Sequence, residues 1–154
     1  MRPCLALAAS LAYVGCATAP ASNDATLPAA ESNVKVEEVV GFWTGDWGNL
    51  VLKQFGDTVM GAYTHRDGTL LCHFEKGVLV GWWTEEPSRA PDGDAGDLEI
   101  HFVKKGGTLT LLGRYRHGSS GPWLEEWNLK HLPDEPPPEL EARFGETALF
   151  HPHP

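Results

Sequence analysis

The chain is short of cysteine, of basic residues and of long apolar runs, and each shortage removes a class of protein. Three cysteines in 154 residues, at positions 4, 16 and 72, cannot staple a disulfide scaffold. Twelve basic residues stand against 21 acidic ones, for a formal charge of −9, and Lys104-Lys105 is the one basic cluster. A chain of that sign without a basic patch does not bind nucleic acid. The apolar run from Leu5 to Val14 is too short to span a bilayer. No helical period of useful length appears between residues 37 and 132. Gly118-Ser119-Ser120-Gly121 lacks the strand-to-helix context of a nucleophile elbow. Asp92-Gly93-Asp94-Ala95-Gly96-Asp97 alternates oxygens as a calcium loop does, but without the closing bidentate Glu. The expectation is therefore a chain with no enzyme activity, no cofactor and no metal.

What the chain does have is a repeat. Gly41-Phe42-Trp43-Thr44 returns twenty residues later as Gly61-Ala62-Tyr63-Thr64, and again as Gly81-Trp82-Trp83-Thr84, with a degenerate copy at Gly113-Arg114-Tyr115-Arg116. A period of that length suits two short strands and two tight turns. Turn residues stand at Trp47-Gly48, Gly56-Asp57, Asp67-Gly68, Lys76-Gly77 and Gly106-Gly107. Closing the Gly56-Asp57 turn sets Leu52 opposite Gly61 and Leu50 opposite Tyr63. Closing Lys76-Gly77 sets Phe74 opposite Leu79, Cys72 opposite Gly81 and Leu70 opposite Trp83. Closing Asp67-Gly68 sets Tyr63 opposite Cys72 and Gly61 opposite Phe74. Opposed residues share a face, and all the turns agree on one set. It comprises Trp43, Leu50, Leu52, Val59, Tyr63, Leu70, Cys72, Phe74, Leu79, Trp83, Ile100, Phe102, Leu109, Leu111 and Tyr115. The fold expected is all-β: an antiparallel eight-stranded up-and-down meander over residues 37–132, closing into a small barrel and so leaving no sheet edge. The strands fall near 38–45, 49–55, 58–65, 69–75, 78–85, 96–103, 108–116 and 123–131.

The flanks read differently. Arg2 and the apolar run make an export signal that ends at Tyr13-Val14-Gly15-Cys16. Those four residues resemble the lipobox of bacterial lipoproteins, which implies cleavage before Cys16 and its lipidation. The rival cut, after Ala17-Thr18-Ala19, leaves Pro20 first and a secreted or periplasmic protein. Residues 17–36 are dominated by small and polar types and read as a flexible, disordered linker. With Cys4 removed and Cys16 lipidated, Cys72 is left as a buried small hydrophobe. Residues 133–154 form a Pro-rich tail whose Leu140, Phe144, Leu149 and Phe150 are expected to cover the outward Val80 and Trp82 of the fifth strand.

Candidate site residues follow from the repeat. Gly45, His65, Glu85 and His117 each lie two positions beyond a repeat aromatic, so they share one end of the barrel. Inward-facing His65, Glu85 and His117 would line its mouth above Trp43, Tyr63, Trp83, Tyr115 and Trp127. Glu125, across the Gly118–Pro122 turn, is set opposite Tyr115 between inward Trp123 and Trp127. There it either bonds Tyr115 or is turned outward by a bulge.

Two wider resemblances exist. Gly41-x-Trp43-x-x-x-Trp47-Gly48 followed by Leu52-x-Gln54-x-Gly56-x-x-Val59-x-Gly61-x-Tyr63 resembles a run in uncharacterised secreted bacterial proteins and lipoproteins, which implies no activity. The recurring Gly-x-Tyr ending in Trp127-x-Leu129 is similar to the biotin-binding avidin/streptavidin barrels. That resemblance implies a lipocalin/avidin-like barrel with an open end and ligand contacts at Tyr63 and His65. The family's hydroxyl residue is replaced by His65, and its Asn and Ser contacts near the first turn have become Gly45 and Asn49 or are missing, so biotin is not implied. The reading is thus a lipid-anchored protein of the bacterial cell envelope, outer membrane first. Its barrel either binds a small ligand or an envelope protein, or has a filled interior and serves as a structural or interaction module.

Overall fold

The computed structural model describes residues 26–91 and 93–151, and of Glu126 the backbone only. The signal segment, Cys16 and residues 17–25 of the linker therefore lie outside the described residues. Eight antiparallel strands follow one another around a closed barrel: β1 (Gly41–Gly45), β2 (Gly48–Phe55), β3 (Thr58–Tyr63), β4 (Thr69–Glu75), β5 (Val78–Thr84), β6 (Ala95–Lys105), β7 (Thr108–Tyr115) and β8 (Leu124–Leu132). β8 returns to pair with β1, with Trp43 opposite His131 and Gly45 opposite Leu129, which removes both sheet edges.

The alternation of apolar residues fixes the inside. Trp43, Leu50, Leu52, Tyr63, Leu70, Cys72, Leu79, Ile100, Phe102 and Leu111 are all buried in one core cluster, with Phe74 and Leu109 packed against it. Leu98, Trp127 and Leu129 join them from β6 and β8. The registers through Gly56-Asp57 and Lys76-Gly77 are as expected: Leu52 pairs with Gly61, and Leu70 with Trp83. Gly81 lets β4 and β5 coil tightly, since a Cβ there would lie 2.1 Å from the carbonyl oxygen of Leu71.

The β3–β4 register departs from expectation. Gly61 pairs with Leu70 and Val59 with Cys72, four residues from the pairing that an Asp67-Gly68 hairpin would give. The chain instead turns through a 3₁₀ segment, His65–Asp67, in which Arg66 and Asp67 take positive φ. A slip by an even number keeps every side chain on its face, so the inward set survives.

The N-terminal flank differs from the reading of a flexible linker, and the tail packs as expected but on another face. A short helix α1 (Val36–Val39) replaces the start of the expected first strand, and the Trp43 indole donates to the Val39 carbonyl at 2.9 Å. Val34 and Val39 are buried in the main core and Val36 packs beside them, so residues expected in the linker close one end of the barrel. Helix α2 (Pro138–Arg143) and the 3₁₀ turn Thr147–Phe150 bring Leu140, Phe144 and Phe150 down on Phe42, Val51 and Ala62, with Met60, Leu71 and Leu149 at the margin. The tail therefore does cover an outer apolar face, but the face of β1 to β4. Val80 stays 56% exposed, while Trp82 is half-buried.

Candidate functional site

Odd-numbered strands run toward the same end, so the segments after β1, β3, β5 and β7 meet at the mouth. Trp47, in the turn between β1 and β2, governs its shape. Its ring stacks on Trp127 of β8 at 5.3 Å and 19°, and meets Tyr115 of β7 at 5.3 Å and Tyr63 of β3 at 6.3 Å. β3 and β7 stand on opposite sides of an eight-stranded barrel. An indole that touches both lies over the barrel axis and closes the mouth. Sequence reasoning took Trp47 only as a turn residue. The signal that could have found it is a large aromatic in a tight turn beside three inward aromatics.

Beneath this plug is a buried polar pair. Glu85 follows β5, is 2% exposed, and accepts a hydrogen bond from the Tyr63 hydroxyl at 2.8 Å. Its other oxygen lies 3.5 Å from Arg66 Nη1 and 3.9 Å from His65 Nε2. Burial raises the Glu85 carboxyl above its ordinary range; the Tyr63 hydrogen bond and the charges of His65 and Arg66 only partly offset it. Burial, and then the charge of Glu85, also pushes the Tyr63 hydroxyl well up. The ring of Tyr63 sits directly on Gly68, where a Cβ would lie 1.8 Å from Cζ.

Four clamps hold this end. Buried Arg89 donates to Thr84 Oγ1 at 3.1 Å, to Glu86 at 2.8 Å and to the Asp67 carbonyl at 2.8 Å. Arg143 of α2 donates to the Tyr63 carbonyl at 3.0 Å and to the same Asp67 carbonyl, which ties the tail to the mouth. Asp94 accepts from Arg66 and from Ser88 Oγ at 2.6 Å, and Ser88 foremost holds its carboxyl low. Asp97 is engaged by Arg116 at 2.6 and 2.9 Å and by Ser119 at 3.2 Å. The acidic loop thus spends Asp94 and Asp97 on separate protein partners, while Asp92 lies outside the described residues. No group of three His, Cys, Asp or Glu among the described residues could hold a metal ion.

The expected site residues meet this arrangement unevenly. His65, Glu85 and His117 do share one end, but Glu85 alone points in. His65 stands on the 3₁₀ turn with its side chain 47% exposed and its ring 4.6 Å from Trp47. His117 is exposed and rests edge-on against Trp83 at 5.4 Å and Tyr115 at 5.9 Å. Tyr63, Trp83, Tyr115 and Trp127 are buried beneath the rim, and Trp43 lies toward the far end against Phe102 and His131.

Of the two readings of Glu125, the outward turn by a bulge holds, and the bond to Tyr115 is absent. β8 carries a bulge, so Gly113 pairs with Trp127 but Arg114 pairs with Glu125 and Tyr115 with Leu124. The extra residue reverses the pleat beyond it and leaves Glu125 exposed. Trp123 is likewise outside, with its ring over the guanidinium groups of Arg114 and Arg116 at 4.6 and 4.7 Å.

The interior is filled by the buried set, and the hollow at the mouth is shallow, about 460 Å³, bordered by Asp46, Trp47, His65 and Glu125. A ligand there would meet an indole, an imidazole and two carboxylates. No helix among the described residues is long and apolar enough to cross a membrane. Comparison with family models, curated proteins and solved structures finds no match to this chain.

Proposed function

We propose that this protein is a lipid-anchored component of the bacterial cell envelope whose barrel is a solid scaffold presenting its mouth rim to a partner, and not a carrier that encloses a ligand. One observation carries the reading: Trp47 lies across the axis on Trp127, Tyr115 and Tyr63, above an interior packed by aromatic and aliphatic side chains. Ligand cavities are concave and mostly apolar with a few placed polar groups; here the apolar volume is occupied by the protein itself. What remains for recognition is the outer rim of Asp46, Trp47, His65 and Glu125. The lipobox-like Tyr13-Val14-Gly15-Cys16 supports the anchor, since a diacylated and N-acylated cysteine holds a bilayer far more firmly than one chain.

Two measurements test it. Mass spectrometry of small molecules released from the purified soluble domain is expected to find none at a stoichiometric amount, and one retained compound would overturn the solid barrel. Cys16→Ser is expected to move the mature protein from the membrane fraction to the soluble one, and unchanged fractionation would remove the anchor.

A further inference from the structure

Residues 26–31 run along the outside of the barrel. Glu31 sits at the end opposite the mouth, where its backbone N–H donates to the Phe102 carbonyl at 2.9 Å and the Phe102 N–H reaches the carbonyl of Gly77 in the β4–β5 turn. Three residues earlier, the Pro28 carbonyl lies 2.6 Å from His101 Nδ1, part-way up β6. Thr26, Leu27 and Pro28 then border a hollow of about 190 Å³ that they share with Asn128, Asp46 and Glu125. Asp46 belongs to the mouth turn and Glu125 to the mouth end of β8. Traced toward its N-terminus, the chain climbs the wall from the closed end and leaves the barrel on the mouth side.

We infer that the partner the rim meets is the membrane surface itself: the anchored protein stands mouth-first, with the rim of Trp47, His65, Leu124 and Glu125 against the headgroup layer of the membrane that holds its lipid. The inference rests on the proposed lipidation of Cys16. Cys16 precedes Thr26 by ten residues, and that length of chain spans at most about 36 Å in any conformation. β6 has eleven residues, which at about 3.3 Å each and a tilt near 40° makes a wall roughly 28 Å tall. To set the closed end on the bilayer, the tether would have to double back along the wall over most of its contour. To set the mouth there, it needs almost none. The rim has the chemistry for that layer: Trp47 is a half-buried indole, a ring that favours the membrane–water boundary, and Leu124, at the mouth end of β8, is 36% exposed. The carboxylates of Asp46 and Glu125 oppose anionic lipid, so contact is with zwitterionic headgroups and is imposed by the tether.

The test uses the full lipidated protein in phosphatidylcholine vesicles doped with an acceptor-labelled lipid. Cys72 is 1% exposed with its thiol pushed up to about 12 by burial, so it does not compete for label with an introduced cysteine. A donor is attached at Ser120→Cys, in the exposed mouth loop, or at Lys105→Cys, exposed at the closed end. Energy transfer is expected to be several-fold stronger from position 120 than from position 105. Equal or reversed transfer, in a protein that still co-sediments with vesicles and releases from them as Cys16→Ser, would overturn the orientation while leaving the anchor standing. Failure of the wild-type chain to bind vesicles at all would overturn both.

Discussion

The two ends of the barrel are closed by opposite chemistry. At one end, Val34, Val36 and Val39 join the cluster that holds Phe74, Phe102 and Leu109, and the polar contacts include the Trp43 indole donating to the Val39 carbonyl and the Glu31 N–H donating to the Phe102 carbonyl. At the other, Trp47 closes the axis over Tyr63, Tyr115 and Trp127, the buried Glu85 carboxyl holds the Tyr63 phenol, and Arg89 and Arg143 meet on the Asp67 carbonyl of the neighbouring turn. Aliphatic closure gains from area removed from water and is indifferent to pH. The mouth spends part of that gain on desolvating Glu85 and Arg89, which requires each buried polar group to keep its partner. The closed end is thus a stability device. The mouth is a rigid, costly surface, which is the pattern expected where an end of the barrel does more than hold the fold together.

Perturbing each end should separate these roles. The largest effect is expected at Gly68→Ala. The new methyl would occupy the space of the Tyr63 ring, which cannot move without breaking its bond to Glu85, so a loss of about 3 kcal/mol is expected in denaturant unfolding. Gly68 has φ −69°, so the backbone itself tolerates alanine and the loss reports the ring contact alone. A loss below about 0.5 kcal/mol would mean that the mouth breathes freely, and the contrast between the ends would fail. Val39→Ala at the closed end is expected to cost roughly 2 kcal/mol, for two methyl groups removed from a fully buried site. That cost should be nearly the same at pH 5 and pH 8, because the lost contacts are between apolar side chains of the core cluster. A cost that changed with pH would show the closed end to be electrostatically coupled after all.

How much of this was legible in the sequence depended on whether a rule of period two applied. Alternation placed Leu50, Leu70, Cys72 and Leu111 inside, and it survived even a four-residue slip at the β3–β4 turn. Alternation alone failed at Trp123, because one bulged residue beside Gly113/Arg114 inverts the pleat; for Glu125 a bulge was one of two readings, and alternation could not choose between them. It had no purchase on Trp47, whose position is set by a turn. The apolar residues of the tail were recognisable as a covering set, but period two says nothing about which outer face a tethered helix reaches. That choice follows from Phe42, Val51 and Ala62 lining up across β1, β2 and β3. Residues 28–36 read as linker because a low apolar content hid the two valines, Val34 and Val36, that help to close the end opposite the mouth.

The smallest effect is expected from Glu85→Gln, and its sign discriminates most sharply between the ends. Burial holds the folded Glu85 carboxyl above its unfolded value of about 4.3. Between those two values the folded state binds more protons than the unfolded chain, so stability falls as pH rises through the window. This contribution is fully present below the unfolded value and is gone above the folded one. Asp94 and Glu99 work in the opposite direction. Ser88 and Arg66 hold Asp94 low; burial works to raise Glu99, but Arg114 and His101 prevail and hold it low. Their contributions are lost as pH falls; Glu99 lies apart from the substituted side chain, whereas Asp94 shares Arg66 with Glu85. Glutamine can still accept from the Tyr63 hydroxyl and carries no charge to desolvate. The variant should therefore gain on wild type as pH rises from 4 toward 7, with a difference slope of at most about 1.4 kcal/mol per pH unit, the limit for one proton. Paired urea melts across that range give the slope directly. A variant that instead loses ground with rising pH would mean that Arg66 and His65 more than compensate the burial of Glu85, and the mouth would then be stabilised by the charge that its burial should penalise.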